Sequence, residues 1–291
     1  MARRDQIIAG LAIISGCLAP HALASPDMAA EKTSAVPDKH LSISGPINAH
    51  FVAELARISS SYPTIRVLVI DSEGGEVEAA IQLGRLVRQH GWEVAVKNKC
   101  LSACANYVFP AGKRKRVLPN SWVGIHEKTR RFRLADGSMQ YVTGNEIDAA
   151  MTGVDAISAS AARKWEADDA AAFRWLGLST VFVQNFTNYI SSRKRVLGVE
   201  DIHAFPDVPG CPRYRFWALD KKQLEEMGVT GIDEFWFPAN KAEELALYND
   251  KMLPAGSIYI GGPDKLNTFC QGPALNWFQR QWLKLQREPQ S

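Results

Sequence analysis

Ser102 stands between two cysteines in the stretch Lys99-Cys100-Leu101-Ser102-Ala103-Cys104, and His126 ends the apolar run Val123-Gly124-Ile125 farther along the chain. A serine hydroxyl is a weak nucleophile until a base takes its proton, and imidazole is the side chain best matched to that task near neutral pH. Acyl transfer also needs N–H donors for the oxyanion. Ser102 falls where a strand is expected to turn into a helix, so the Ala103 N–H lies at a helix N-terminus, where backbone donors are free. Gly74-Gly75, in the turn Ser72-Glu73-Gly74-Gly75 that ends the β-branched run 66–71, offers a second donor, because glycine permits positive φ and close backbone approach. The bland alternatives are a helix cap for Ser102, a hydrogen-bonded strand-end histidine for His126 and an ordinary turn for Gly74-Gly75. Only their joint presence points to serine-dependent acyl hydrolysis.

The elements that must position these groups alternate. Residues 41–45 read as a short strand and 48–59 as a helix with Phe51, Val52, Leu55 and Ile58 on one face. Arg66 to Asp71 reads as a strand covered on both faces. Glu76 to His90 is an amphipathic helix stopped by Gly91. Strands follow at 92–97 and 122–126, with a short helix from Ser102 to Phe109 between them. A hairpin is expected over 131–142, with Asp136-Gly137 at its turn. Helical spacing then runs over 145–194, broken near Gly153 and Gly177. A late strand covers 214–219, and Asp220 caps a helix to Met227. Strand–helix repetition predicts an α/β fold with mostly parallel strands. In such sheets the C-terminal strand ends carry the functional loops, which favours His126 over His40, His50, His90 and His203 as the base.

The chain has 291 residues, 46% apolar and 22% charged, with a net charge of +3. That balance excludes a disordered chain and a dedicated nucleic-acid binder. Residues 1–24 read as a signal peptide: a basic start, an apolar run too short to span a bilayer comfortably, and the small-x-small pattern Ala22-Leu23-Ala24 before the cut. Ile14-Ser15-Gly16-Cys17 also has the form of a lipobox, so lipidation of Cys17, with membrane anchoring, stands beside simple cleavage. Residues 25–39 read as a linker. The expected location is the periplasm or the exterior. Four cysteines remain after cleavage, an even number that suits disulfides in an exported protein. Cys100 and Cys104 can pair around the turn holding Ser102, leaving Cys211 with Cys270. No zinc-type spacing occurs, and no metal is expected. The run Lys113 to Arg116 reads as a solvated turn, and Trp236, Trp277 and Trp282 as packing residues.

With these residues in place, a resemblance emerges. LSISGPI, VLVIDSEGGEVEAAIQLGRLV and AGKRKRVLPNSWVGIHE, in this order and spacing over 41–127, resemble the Clp protease proteolytic subunit family of the crotonase-like superfamily. A weaker likeness returns at 215–233. The resemblance implies a crotonase-like β-β-α superhelical α/β domain over 40–235, followed by a C-terminal extension over 236–291. It implies Ser102 as nucleophile, His126 as general base and Gly74 and Ala103 as oxyanion donors. Two departures accompany it. Counted back from Ala111-Gly112, Ser102 lies one residue earlier than in the family, so the turn holds an insertion; with the gap placed elsewhere, Ala103 takes the nucleophile's position and the site is dead. The family's acid should lie just before Arg215-Phe216, where Tyr214 stands, and Asp207 is the nearest carboxylate. A Ser–Lys dyad using Lys97, Lys99 or Lys128 would require a buried lysine. The implied function is an exported, ATP-independent serine peptidase that uses no cofactor, takes peptides or unfolded protein rather than nucleic acid, and self-associates. The alternative is a catalytically silent binding or scaffold module of the same fold. A crotonase-type acyl-CoA enzyme is a more distant reading.

Overall fold

A computed structural model describes residues 40–127, 129–133, 139–143, 154, 156–198, 207–248 and 253–285, with side chains left undescribed in 129–133, 139–143 and at 284. The signal peptide with Cys17, the linker, Lys128, Gly153 and His203 lie outside the described residues.

Three parallel strands form the base of the fold: β1 (His40–Ser44), β2 (Val67–Ser72) and β3 (Glu93–Leu101). Leu68, Ile70, Val94 and Val96 are wholly buried, as expected of strands covered on both faces. The crossover from β1 to β2 is α1 (Ala49–Ser61), begun by Asn48, whose side chain accepts the Phe51 N–H at 2.9 Å. The crossover from β2 to β3 is α2 (Val77–His90), closed by Gly91 in the left-handed conformation at φ 62°.

β3 runs four residues beyond its expected end, and this extension forks the sheet. Asn98 takes φ 64°, and its N–H turns to Ser121 Oγ at 2.8 Å. On the far edge, residues 94–96 pair with β4 (Lys115–Val117), while residues 99–101 pair with β5 (Trp122–Ile125). After the two-stranded antiparallel hairpin β6 (Thr129–Arg133) and β7 (Met139–Thr143) come two helices, α3 (Ala156–Leu176) and α4 (Val181–Leu197), separated by Gly177 at φ 74°. β8 (Phe216–Ala218) joins β5 antiparallel, the one reversal within the forked sheet's described pairings. A reciprocal capping box between Asp220 and Gln223 starts α5 (Lys221–Met227), and β9 (Ile232–Phe235) pairs with β4.

The last part of the chain is built into this sheet. After α6 (Lys241–Ala246), β10 (Ile258–Ile260) lies parallel to β8, and α7 (Pro263–Leu266) and α8 (Trp277–Leu285) follow. Leu247 and Ile258 pack with Leu101, Trp122 and Ala218 in a core of their own on the β5 branch. The fold is therefore mixed α/β around one forked, mostly parallel sheet.

Two expectations fail here. The run Lys113 to Arg116 is not simply a solvated turn: β4 draws Lys115 into the interior, 2% exposed, where its Nζ donates to the Gly112 and Thr230 carbonyls at 2.6 Å each. Arg116 pairs with Glu93 and Arg114 with Asp233. Of the tail tryptophans, Trp236 packs against the second core, but Trp277 and Trp282 are exposed.

Candidate functional site

The register of three parallel strands brings the groups together. Ser72 of β2 sits beside Cys100 of β3, and Leu101 of β3 sits beside Gly124 of β5. Gly74, Ser102 and His126 each follow closely after their strand ends, so all three emerge at the same edge of the sheet. The Ser102 N–H continues the ladder to the Gly124 carbonyl at 2.9 Å.

Ser102 then breaks the strand. Its φ is 56°, a left-handed conformation that costs a non-glycine residue roughly 1–2 kcal/mol. That sharp turn aims the side chain out of the sheet, and Oγ lies 2.6 Å from His126 Nε2. The helix-cap reading can be set against this geometry: the helical segment that follows has no side-chain cap, and its capping position is Ala103. The segment itself is a single π-helical turn, Cys104–Val108, with the Phe109 N–H reaching back five residues to the Cys104 carbonyl at 3.0 Å. A π turn holds one residue more than an α turn. The extra residue noted in the sequence fits there, and Ser102, not Ala103, faces the imidazole.

Two covalent and packing constraints hold the turn. Cys100 and Cys104, both fully buried, form a disulfide that brackets Ser102 two residues on either side. Cys211 and Cys270 form the second pair. Gly74, at φ 96°, lies against the turn so closely that a Cβ there would fall 2.7 Å from Ser102 Cβ and 2.9 Å from the Ala103 nitrogen. Among the described residues the Ala103 N–H makes no hydrogen bond. The Gly74 N–H donates to Ser72 Oγ at 3.1 Å, and that hydroxyl lies 2.7 Å from the Gly45 carbonyl. Sequence reasoning missed Ser72, which looks like one more small residue after a strand.

The carboxylate beside His126 is Glu127, with Oε2 3.7 Å from Nδ1, and Glu127 is itself buried. Asp207 is not brought to the imidazole: its carboxylate accepts the Arg213 N–H in the loop before β8. Burial pulls the His126 pKa down, but hydrogen bonding and the negative charge of Glu127 outweigh it, and the net shift is upward. The ring is also held edge-on to Phe216, centroids 5.5 Å apart, and Phe216 meets Trp122 in the same way at 6.0 Å. Trp122 leads into a cleft of about 400 Å³ whose polar wall includes Asp71, Asn98 and Lys99, while Ser102 and His126 do not line it. Lys99 lies 3.1 Å from Glu73. Among the described residues no group of three or more His, Cys, Asp or Glu is placed to hold a metal ion.

The comparisons with known proteins give one kind of match. No protein-family model matches the chain, and no curated protein does. Among solved structures the chain is similar to a ClpP1 mutant from Listeria monocytogenes, at 15% identity and a TM-score of 0.38, over 72% of this chain and 94% of that one.

Proposed function

We propose that the protein is an exported serine hydrolase working through Ser102, His126 and Glu127. The observation that carries this reading is the 2.6 Å contact between Ser102 Oγ and His126 Nε2, made by a serine held at positive φ. His126 takes the hydroxyl proton as Oγ attacks an acyl carbon. It returns that proton to the leaving group, and water then releases the acyl group by the same steps. The free Ala103 N–H supports the oxyanion. Gly74 adds a second donor once its N–H leaves Ser72 Oγ for the stronger acceptor, because an anionic oxygen forms the stronger hydrogen bond. Glu127 orients the imidazole and stabilises its protonated form.

Peptide substrates, ATP independence and self-association rest on the sequence resemblance, and export on residues 1–24 and the two disulfides, which are compatible with an oxidising compartment. One observation favours the silent-module alternative: the Gly74 N–H is already occupied by Ser72. A fluorophosphonate probe separates the two readings. The hydrolase reacts covalently, and Ser102→Ala removes the label while leaving the fold intact by circular dichroism. A folded wild-type protein that takes no label, and cleaves no peptide, belongs to the binding module instead.

A further inference from the structure

α8 is amphipathic, but it is seated the wrong way round for an ordinary surface helix. It opens with a reciprocal cap: the Gln279 N–H donates to Asn276 Oδ1 and the Asn276 N–H to Gln279 Oε1, both at 2.9 Å. It rests on the body through Leu283, 7% exposed, and the Leu275 N–H just before it reaches the Val196 carbonyl at 2.8 Å. Its other apolar residues face outward. Phe278, Trp282 and Leu285, at helical offsets 0, 4 and 7, form one stripe and are 77%, 60% and 84% exposed. Trp277 adds a further indole, its ring edge-on to Phe278 at 5.0 Å. A soluble surface helix turns such a stripe toward the core.

Charge complementarity indicates what covers it. From Ala274 to Arg287 the chain carries Arg280, Lys284 and Arg287 and not one acid. Indole and phenyl rings flanked by basic side chains suit the boundary between acyl chains and anionic headgroups. A second copy of the chain meeting this face across a two-fold axis would bring the same positive charges together, with no carboxylate on the helix to offset them. We infer that α8 docks the protein on an anionic lipid bilayer, its aromatic stripe in the headgroup–acyl boundary, with the net positive charge of the segment, part of it on an Arg280 guanidinium that lies against Gly198, drawing it to the anionic surface. This inference does not depend on the hydrolase reading.

Vesicle sedimentation of the full chain tests it, using phosphatidylcholine alone and phosphatidylcholine with phosphatidylglycerol at about three to one. The wild type should partition onto the anionic vesicles, with a blue-shifted tryptophan emission that brominated lipid quenches. The triple substitution Trp277→Ser/Phe278→Ser/Trp282→Ser should lower partitioning at least about tenfold. Arg280→Gln/Lys284→Gln should lower it roughly fivefold per charge on anionic vesicles and leave the neutral ones unchanged. Residues 1–24 are common to every variant, so differences report the helix. Should the triple variant misfold by circular dichroism, Trp282→Ser alone reads the same effect at smaller amplitude. Equal partitioning of the wild type and the stripe variants overturns the inference. So does a wild type that ignores vesicles but forms a dimer which the stripe variants abolish, since a second copy is then the occupant.

Discussion

At the scale of single residues, Glu127 changes what the site is expected to do with pH. On the hydrolase reading His126 must be neutral to accept the Ser102 proton, so activity should rise with pH as His126 loses its proton. Because the net shift of that group is upward, the acidic limb should lie above the ordinary histidine value of 6.5. Glu127→Gln removes the carboxylate's hydrogen bond and its charge, the two larger influences that raise it, and leaves burial, which lowers it, against the smaller hydrogen bond from the residue's backbone. The limb should therefore move to lower pH while kcat falls by roughly 10- to 1000-fold, less than the loss of about 10⁴ seen when a fully engaged triad carboxylate is neutralised. A pH–rate profile of both proteins measures this, and a limb that stays in place would remove Glu127 from the site. The linkage has a stability counterpart. A raised histidine pKa stabilises the fold fully below about pH 6.5, and that contribution is lost as pH rises through the folded value. Denaturant midpoints at pH 5 and pH 8 should differ less in Glu127→Gln than in the wild type. Glu127 adjoins His126 in the sequence, yet strand geometry hides its approach to the ring. Successive residues in a strand point to opposite faces, which argues against neighbours converging. β5, however, ends at Ile125, so His126 and Glu127 are released from that alternation.

At the scale of elements, the two disulfides should separate stability from activity. Chain entropy gives about 2 kcal/mol for the short Cys100–Cys104 loop, with a sequence separation of 4, and about 4 kcal/mol for Cys211–Cys270, with a separation of 59. Cys211→Ala/Cys270→Ala should therefore cost more in the denaturant midpoint. On the hydrolase reading Cys100→Ala/Cys104→Ala should cost more in the rate of fluorophosphonate labelling at Ser102, because that bond ties the end of β3 to the π turn on either side of this serine. Labelling rates that follow global stability alone would show that the short disulfide does not position the serine. The short pair could be anticipated from spacing, with Cys211–Cys270 only as the cysteines left over, and β1, β2, α1, α2 and α5 from apolar period and caps. The π turn could not: Ser102 to Phe109 has the composition of a short helix, and only the packing of Gly84 of α2 against it, where a Cβ would fall 2.4 Å from the Tyr107 carbonyl, reveals how tightly that turn must sit.

At the scale of the whole molecule, Lys115 joins the β4 branch to the loop before β9. Burial first, and the charge of Arg88 second, bring its pKa down from 10.5 to about 8. Between those values the unfolded chain holds a proton that the folded chain has released, so stability should rise as pH climbs from about 8 to 10.5. The neutral amine still has two hydrogens for the Gly112 and Thr230 carbonyls, so the link survives deprotonation. Denaturant titrations at pH 8 and pH 10 should show the rise in the wild type and its absence in Lys115→Met, which should also be less stable at both pH values because two buried carbonyls lose their donor. A pH-independent midpoint in the wild type would contradict this account.

The sequence by itself determined the local events: which runs became strands or helices, where Asn48, Asp220 and Gly91 bound them, and which cysteines lay near enough to pair. These depend on side-chain period, capping and turn chemistry, all of which act over a few residues. It also led to the expectation that Ser102, His126 and Gly74 lie together, since three parallel strands of ordinary length must release their ends at one edge of the sheet. Only the tertiary structure decided the rest. The fork at Asn98, the burial of Lys115 within a basic run, the placing of Glu127 rather than Asp207 near His126 and the outward stripe of α8 each depend on which distant surface comes to lie alongside. Long-range pairing sets those neighbours, and no local pattern encodes it.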